Sequence, residues 1–233
     1  MILRTSFPRL TASFGAIQCE PEVAAEAYVR WQAPILAPHG MQLTVKAQRG
    51  SLDAALKMLL PLTAPIATRF VFAPLESEWT LFVDNSILGT DASSAMRVLA
   101  QRAGVRAVRV TCKEDRPKNG DESISEQFGA RIVEVYVPDG SVQRSVFAAN
   151  DGGRWKFGET GERLPFERPG EYEAKRVKER FTESALLHFL CGLGIADRER
   201  GICTRSEGTS TLVQKMGALP ASLREYFVDP QAA

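Results

Sequence analysis

Histidine and cysteine are scarce in this chain, with two histidines and four cysteines among 233 residues. Cys19, Cys112, Cys191 and Cys203 are widely separated and form no C-x-x-C pair. Structural zinc favours closely spaced ligand pairs, so no metal is expected, and no other cofactor. The same scatter points away from a disulfide framework and towards a reducing compartment. There is no G-x-G-x-x-G or Walker sequence to cradle nucleotide phosphates. Nor is there a G-x-S-x-G or H-E-x-x-H, so hydrolysis by the common routes has no support.

Long apolar runs are also missing. The longest, Ala54 to Ala67, is interrupted by Lys57, Pro61 and Pro65 and falls short of the ~20 residues a membrane-spanning helix needs. Residues 1–9, MILRTSFPR, contain no uninterrupted apolar core of a secretory signal. The expectation is a cytoplasmic protein with no membrane partner. An excess of charge of one sign is absent too: 29 basic residues face 28 acidic ones. A nucleic-acid binder draws most of its affinity from a dense cationic surface, so nucleic acid is not an expected partner.

What is present is a strong folding pattern. An apolar content of 44% with 24% charged residues is that of a globular domain. A chain this long buries roughly 70% or more of its unfolded surface without staples. Phe14 to Cys19 reads as a strand. Pro21 opens a helix with Val23, Ala24, Ala27, Tyr28 and Trp31 on its buried face. Gln42 to Lys46 alternates as a strand, and Ser51 caps a helix from Leu52 to Leu60.

Thr68–Ala73 and Glu78–Val83 read as neighbouring strands. The loop 84–90 follows, then a helix capped by Asp91 and stopped by Gly104, then a strand from Val105 to Cys112. This β-loop-α-β unit is compatible with a parallel pair joined by a crossover. Lys113 to Ser125 is a polar interruption. Ala130–Val137 and Gln143–Ala149 form a hairpin around Pro138-Asp139-Gly140, and Asn150-Asp151-Gly152-Gly153 makes a second turn. Trp155 and Phe157 then alternate with Leu164 and Phe166 across Gly158-Glu159-Thr160-Gly161, completing a meander.

Glu171–Arg180 reads as a charged helix, and Thr182 caps another that ends at Gly192 or Gly194. Weak strands are expected at 201–205 and 211–215, and a short helix over Pro220–Phe227. The fold class is α+β, with a mixed, mainly antiparallel sheet, the β-loop-α-β unit and packed helices. Residues 1–195 are expected as a single domain, with 1–75 and 76–195 as candidate subdomains. Residues 196–233 are expected as a C-terminal extension.

The candidate site residues come from loops. Asp84, Asn85 and Asp91 lie between a strand and a helix, where α/β sheets place ligands. An Asx turn at Asp84 and Asn85, with a cap at Asp91, would use the same residues structurally. Asp151 and Arg154 flank a hairpin tip beside Trp155, and Arg and Trp dominate protein-binding hot spots. The tight turn itself needs only the glycines. The cluster Lys175, Arg176, Lys178 and Arg180 is interleaved with Glu171, Glu173, Glu179 and Glu183, as on a solvated helix face. His39 and His188 have no catalytic partner in sequence.

In size, mixed α+β pattern, balanced charge and lack of a catalytic motif, the chain resembles the immunity proteins of bacterial toxin and effector systems. The resemblance is one of type, with no motif matched residue by residue, so it assigns no positions. It implies a binding protein that neutralises a cognate toxin or effector by stoichiometric contact. The polar loops with Asp84, Asn85, Asp91, Asp151 and Arg154 are the expected contact surface. The alternative is a small-molecule-binding protein or carboxylate-based enzyme using the Asp84–Asp91 loop, in which oxygen ligands suit a hard cation. Oligomeric state is left open.

Overall fold

Strand β1 (Ser13–Ile17) precedes helix α1 (Pro21–Leu36), which begins where Pro21 presets the helical φ and Glu22 sits near the positive end of the dipole. A 3-10 turn over Ala37–His39 and Gly40 at φ 70° reverse the chain into β2 (Met41–Gly50). The Ser51 hydroxyl accepts the Ala54 N–H at 3.3 Å and starts α2 (Leu52–Lys57). Next come β3 (Leu62–Ala64), β4 (Arg69–Pro74), β5 (Thr80–Asp84) and α3 (Ser93–Ala103). A meander follows: β6 (Ala107–Lys113), β7 (Ala130–Tyr136), β8 (Val142–Asn150) and β9 (Trp155–Gly161). Thr182 Oγ1 accepts the Ala185 N–H at 3.1 Å to cap α4 (Glu183–Gly192), and β10 (Gly208–Gly217) and β11 (Arg224–Tyr226) are the last elements among the described residues. These elements come from a computed structural model that describes residues 2–3, 5–8, 10–116 and 127–227.

Nine strands form one antiparallel sheet in the order β2-β10-β4-β5-β1-β6-β7-β8-β9, and β11 pairs with β3 in a second, two-stranded sheet. The fold is α+β. A single row crosses the main sheet: Ala47, Thr211, Phe72, Phe82, Gly15, Arg109, Glu134, Ser145 and Thr160. Directly opposed residues share a face, so this row identifies one side of the sheet.

That side carries α1 and α3, which bury Tyr28, Phe70, Phe72, Phe82, Met96 and Leu99 between them and the strands. Gly15 lets α3 lie close to β1, since a side chain there would collide with the Met96 thioether. The opposite face is covered by the N-terminal residues, α2 and α4, around Phe14, Leu56, Trp79, Phe181 and Phe189. Among the described residues no helix is long and apolar enough to cross a membrane.

Several expectations need correction. β5 and β6 run in the same direction but are not a pair, because β1 lies between them and is antiparallel to both. The Ser13 and Thr111 hydroxyls meet at 3.0 Å in that insertion. Residues 171–180 form no α-helix. They lie across two 3-10 turns, Pro169–Glu173 and Val177–Glu179, and Pro169 sets the first of these. Gly158–Gly161 is part of β9 rather than a turn, so Leu164–Phe166 is not a returning strand.

Pro220–Phe227 holds β11 in place of a helix. β10, drawn from the region expected as an extension, sits inside the main sheet between β2 and β4. Val23, expected on the buried face of α1, is exposed. Of the polar interruption 113–125, residues 117–125 lie outside the described residues.

Candidate functional site

β5, β6 and β8 run in the same direction, each reached from the next through antiparallel neighbours. The loops after Asp84, Lys113 and Asn150 therefore leave the sheet at one end. The sequence places its three polar loops far apart in the chain, and the topology gathers them on a single rim.

Within the first loop, Asp84 Oδ1 accepts the Ser86 N–H at 2.9 Å, and the Asp84 N–H donates to Thr90 Oγ1 at 3.0 Å. This is the Asx turn that the sequence allowed. Asn85 is 0% exposed. Its Oδ1 accepts the N–H groups of Thr68 and Arg69 at 2.8 and 3.0 Å and the Thr63 hydroxyl at 3.2 Å. Its Nδ2 donates to Pro61 O and Thr68 Oγ1 at 2.9 and 3.2 Å. Asn85 thus ties the 61–69 segment to β5 and has no side-chain atom free for a partner. The expectation that it contacts one is corrected by this burial.

Asp84 is 7% exposed and faces α1 beside Phe70. Burial pushes its carboxyl up to about 6; the Ser86 N–H and Lys215 oppose the rise, and Asp91 adds to it. The Lys215 ammonium is lowered by its own burial, is partly restored by Asp84, and stands 5.1 Å from the Phe70 ring centre. Burial, and then Asp84, raise the Tyr28 hydroxyl well above its usual range. Asp84, Lys215 and Tyr28 thus form a buried polar group in which each shifts the charge balance of another.

Asp91 is exposed. It accepts the Ser93 N–H at 3.2 Å, but Ala92 occupies the cap position of α3, so Asp91 is one residue short of the cap the sequence predicts.

The second part of the rim is the β8–β9 tip. Asn150 Oδ1 accepts the Gly152 N–H at 3.1 Å, Gly152 takes φ 95°, and Asp151 pairs with Lys156. Asp151 and Arg154 are both exposed on this tip. Trp155 packs against the core and donates Nε1–H to Asp115 at 3.1 Å. Asp115 also accepts the Gly129 N–H at 2.7 Å and Asn150 Nδ2 at 3.0 Å. Burial raises the Asp115 carboxyl, but the Gly129 N–H, then Asn150, Trp155 and Arg131 together hold it below its ordinary value.

Phe128 is 42% exposed beside Gly152. With Asp115, Arg116, Asn150, Gly152 and Gly153 it lines an open depression of about 370 Å³. Asp151 and Arg154 are therefore together, as are Asp84 and Asp91, while four strand spacings, about 20 Å, separate β5 from β8. Sequence reading missed Asp115 and Phe128. The pair Phe128-Gly129 at the end of a polar stretch was the available signal.

A fully buried ion pair lies elsewhere. Arg144 donates from Nε and Nη2 to the two Glu167 oxygens at 2.9 and 2.7 Å, from Nη1 to Thr160 O and Gly161 O, and from Nη2 to Glu159. Tyr172 completes the cluster by donating to Glu167 at 2.8 Å. All five guanidinium donors are engaged, so this cluster binds the 162–172 segment to β8. His188 is likewise occupied, its Nε2 lying 2.8 Å from Phe166 O.

The Cys19 and Cys112 thiols are both pushed up to about 11, chiefly by burial, which keeps them protonated and unreactive. Cys112 and Cys191 are part-buried. Among the described residues, no three of His, Cys, Asp or Glu are placed to hold a metal ion together. Compared with protein-family models, curated proteins and solved structures, the chain matches none.

Proposed function

We propose that this chain is a binding protein that neutralises a cognate protein toxin or effector by stoichiometric contact in the bacterial cytoplasm. The rim is the contact surface. One observation carries the reading: the loops following β5, β6 and β8 leave the same end of the sheet. Asp91, Asp151, Arg154 and Phe128 are exposed along that edge. An exposed aromatic flanked by an arginine and carboxylates has the composition of an interface hot spot. Exposed carboxylates complement a basic cleft on a toxin that acts on nucleic acid or nucleotides, and speed the encounter. Asp84 and Asn85, both buried, do not take part in this contact, contrary to the expectation from sequence.

The test is co-expression with the products of neighbouring reading frames, followed by pull-down and a toxicity assay. Arg154→Glu and Phe128→Ala are expected to weaken capture by about tenfold or more each without lowering stability. Failure to capture any neighbour, together with no protection, would overturn the proposal.

A second reading rests on Asp84. A carboxyl titrating near pH 6 beside Lys215 suits a small polar ligand or carboxylate-based chemistry. Thermal shift against divalent cations and nucleotides separates the two. A ligand-induced rise that Asp84→Ala abolishes supports this second reading, and no rise with any ligand removes it.

A further inference from the structure

The two edges of the main sheet are guarded very differently. β9 is seven residues long, holds two glycines, and sets Lys156 and Glu159 in ion pairs with Asp151, Arg163 and Arg144. β2 is ten residues long and has no proline, and only Lys46 and Arg49 carry charge. Natural sheets blunt an open edge with short strands, prolines and charges, because an open edge is a template for another strand. β2 lacks most of these devices.

The register shows what that edge offers. The Lys215 N–H donates across to the Thr68 carbonyl, next to the start of β4, while the Ala218 N–H donates to Gly40 on the β2 side. Alternation then turns the even residues of β2 towards β10 and leaves the N–H and C=O of Leu43, Val45 and Ala47 facing outward. Val45 is 56% exposed although it is apolar and lies mid-strand.

Beside it runs a groove of about 430 Å³ between α1 and β2, floored by Ala25, Val29, Val45 and Ala47. Thr211 also lines this groove. Its hydroxyl is buried and has no hydrogen-bond partner among the described residues. Glu22, Glu26 and Arg30 form the α1 wall at intervals of one helical turn.

From these observations we infer that β2 and the α1 groove are the interface with a second copy of this chain. The two β2 strands pair antiparallel about a two-fold axis through Val45. Three features select a second copy over another occupant. First, the register centred on Val45 overlaps the whole strand and sets outward-facing backbone groups opposite each other, so every pair at an odd position can hydrogen-bond. Second, it places Leu43 opposite Ala47 and Thr44 opposite Lys46 of the second copy, with no like charges directly opposed. Third, with Glu26 beside the axis, Glu22 and Arg30 lie one turn to either side of it, so Glu22 of each copy meets Arg30 of the other, two attractive pairs against the single Glu26–Glu26 repulsion. An isologous contact requires that kind of self-matching. The nine-stranded sheet then continues across the axis into its copy.

Sedimentation velocity of the full chain, with circular dichroism as the folding control, tests the inference. Wild type is expected at twice the chain mass. Val45→Lys, on an exposed side chain, is expected to return the protein to a folded monomer. Glu22→Arg and Arg30→Glu should each weaken dimerisation by about tenfold or more, since each breaks two symmetry-related pairs. The double variant should recover wild-type affinity. A wild-type monomer overturns the inference, including the case in which the groove instead takes an apolar ligand or an extended segment of another protein. So does a dimer that Val45→Lys leaves intact, or a double variant no better than the single ones.

Discussion

The Asp84 carboxyl loses its proton near pH 6 in the folded chain, against an ordinary value of 3.8. Between these two values the folded state holds the extra proton, so stability falls as pH rises through the window and stays lower above it. The full difference is about 3 kcal/mol. Asp84→Asn keeps the acceptor for the Ser86 N–H and removes the charge. It is expected to flatten the pH 4–6 slope in urea denaturation and to stabilise the protein at pH 7; an unchanged slope would show that another group titrates there. Asn85 has a different role, since its amide serves five partners between Pro61 and Arg69. Asn85→Ala strands several buried groups, and a loss of about 3–5 kcal/mol in the same assay is expected. The Asx turn at Asp84 was legible in sequence because its partner is two residues away. The burial of Asn85 was not, because the groups it joins are distant in the chain and a polar residue after a strand reads as solvent-facing.

Among the elements, the caps at Ser51 and Thr182 were legible for the same local reason: the hydroxyl and the N–H it accepts are three residues apart. The segment 171–180 misled because alternating acids and bases fit helical spacing equally well when they decorate a turn. What holds that region is the Arg144–Glu167 pair, which the sequence could not show, since an arginine in a strand is read as exposed. Both side chains of the pair are buried. Glu167→Gln leaves the guanidinium buried and short of its counter-charge, so a loss of about 3 kcal/mol is expected, with faster proteolytic nicking between residues 162 and 181. Arg144→Met with Glu167→Met should be less costly than the single change, because no charge is then left without a partner.

At the scale of the whole molecule, the α+β class and most strands followed from alternation and turn chemistry, while strand order did not. Periodicity reports which face of a strand is buried and says nothing about its neighbour. The insertion of β1 between β5 and β6, and of β10 between β4 and β2, are both choices among distant partners. The rim follows from that order: without β1 between them, β5 and β6 could not run in the same direction within an antiparallel sheet. A chain truncated before Gly208 is expected to lose cooperative unfolding altogether, since β2 then has no neighbour in the sheet and one side of β4 is left bare.

The place of β10 has a consequence for how the molecule is made. On the ribosome, β2 and β4 emerge long before the strand that joins them, and both must wait for Gly208–Gly217. During synthesis the apolar flank of β4 stands open to other nascent polypeptides. The sheet closes only once β10 has been made, and until then a chaperone at the ribosome has the most to protect.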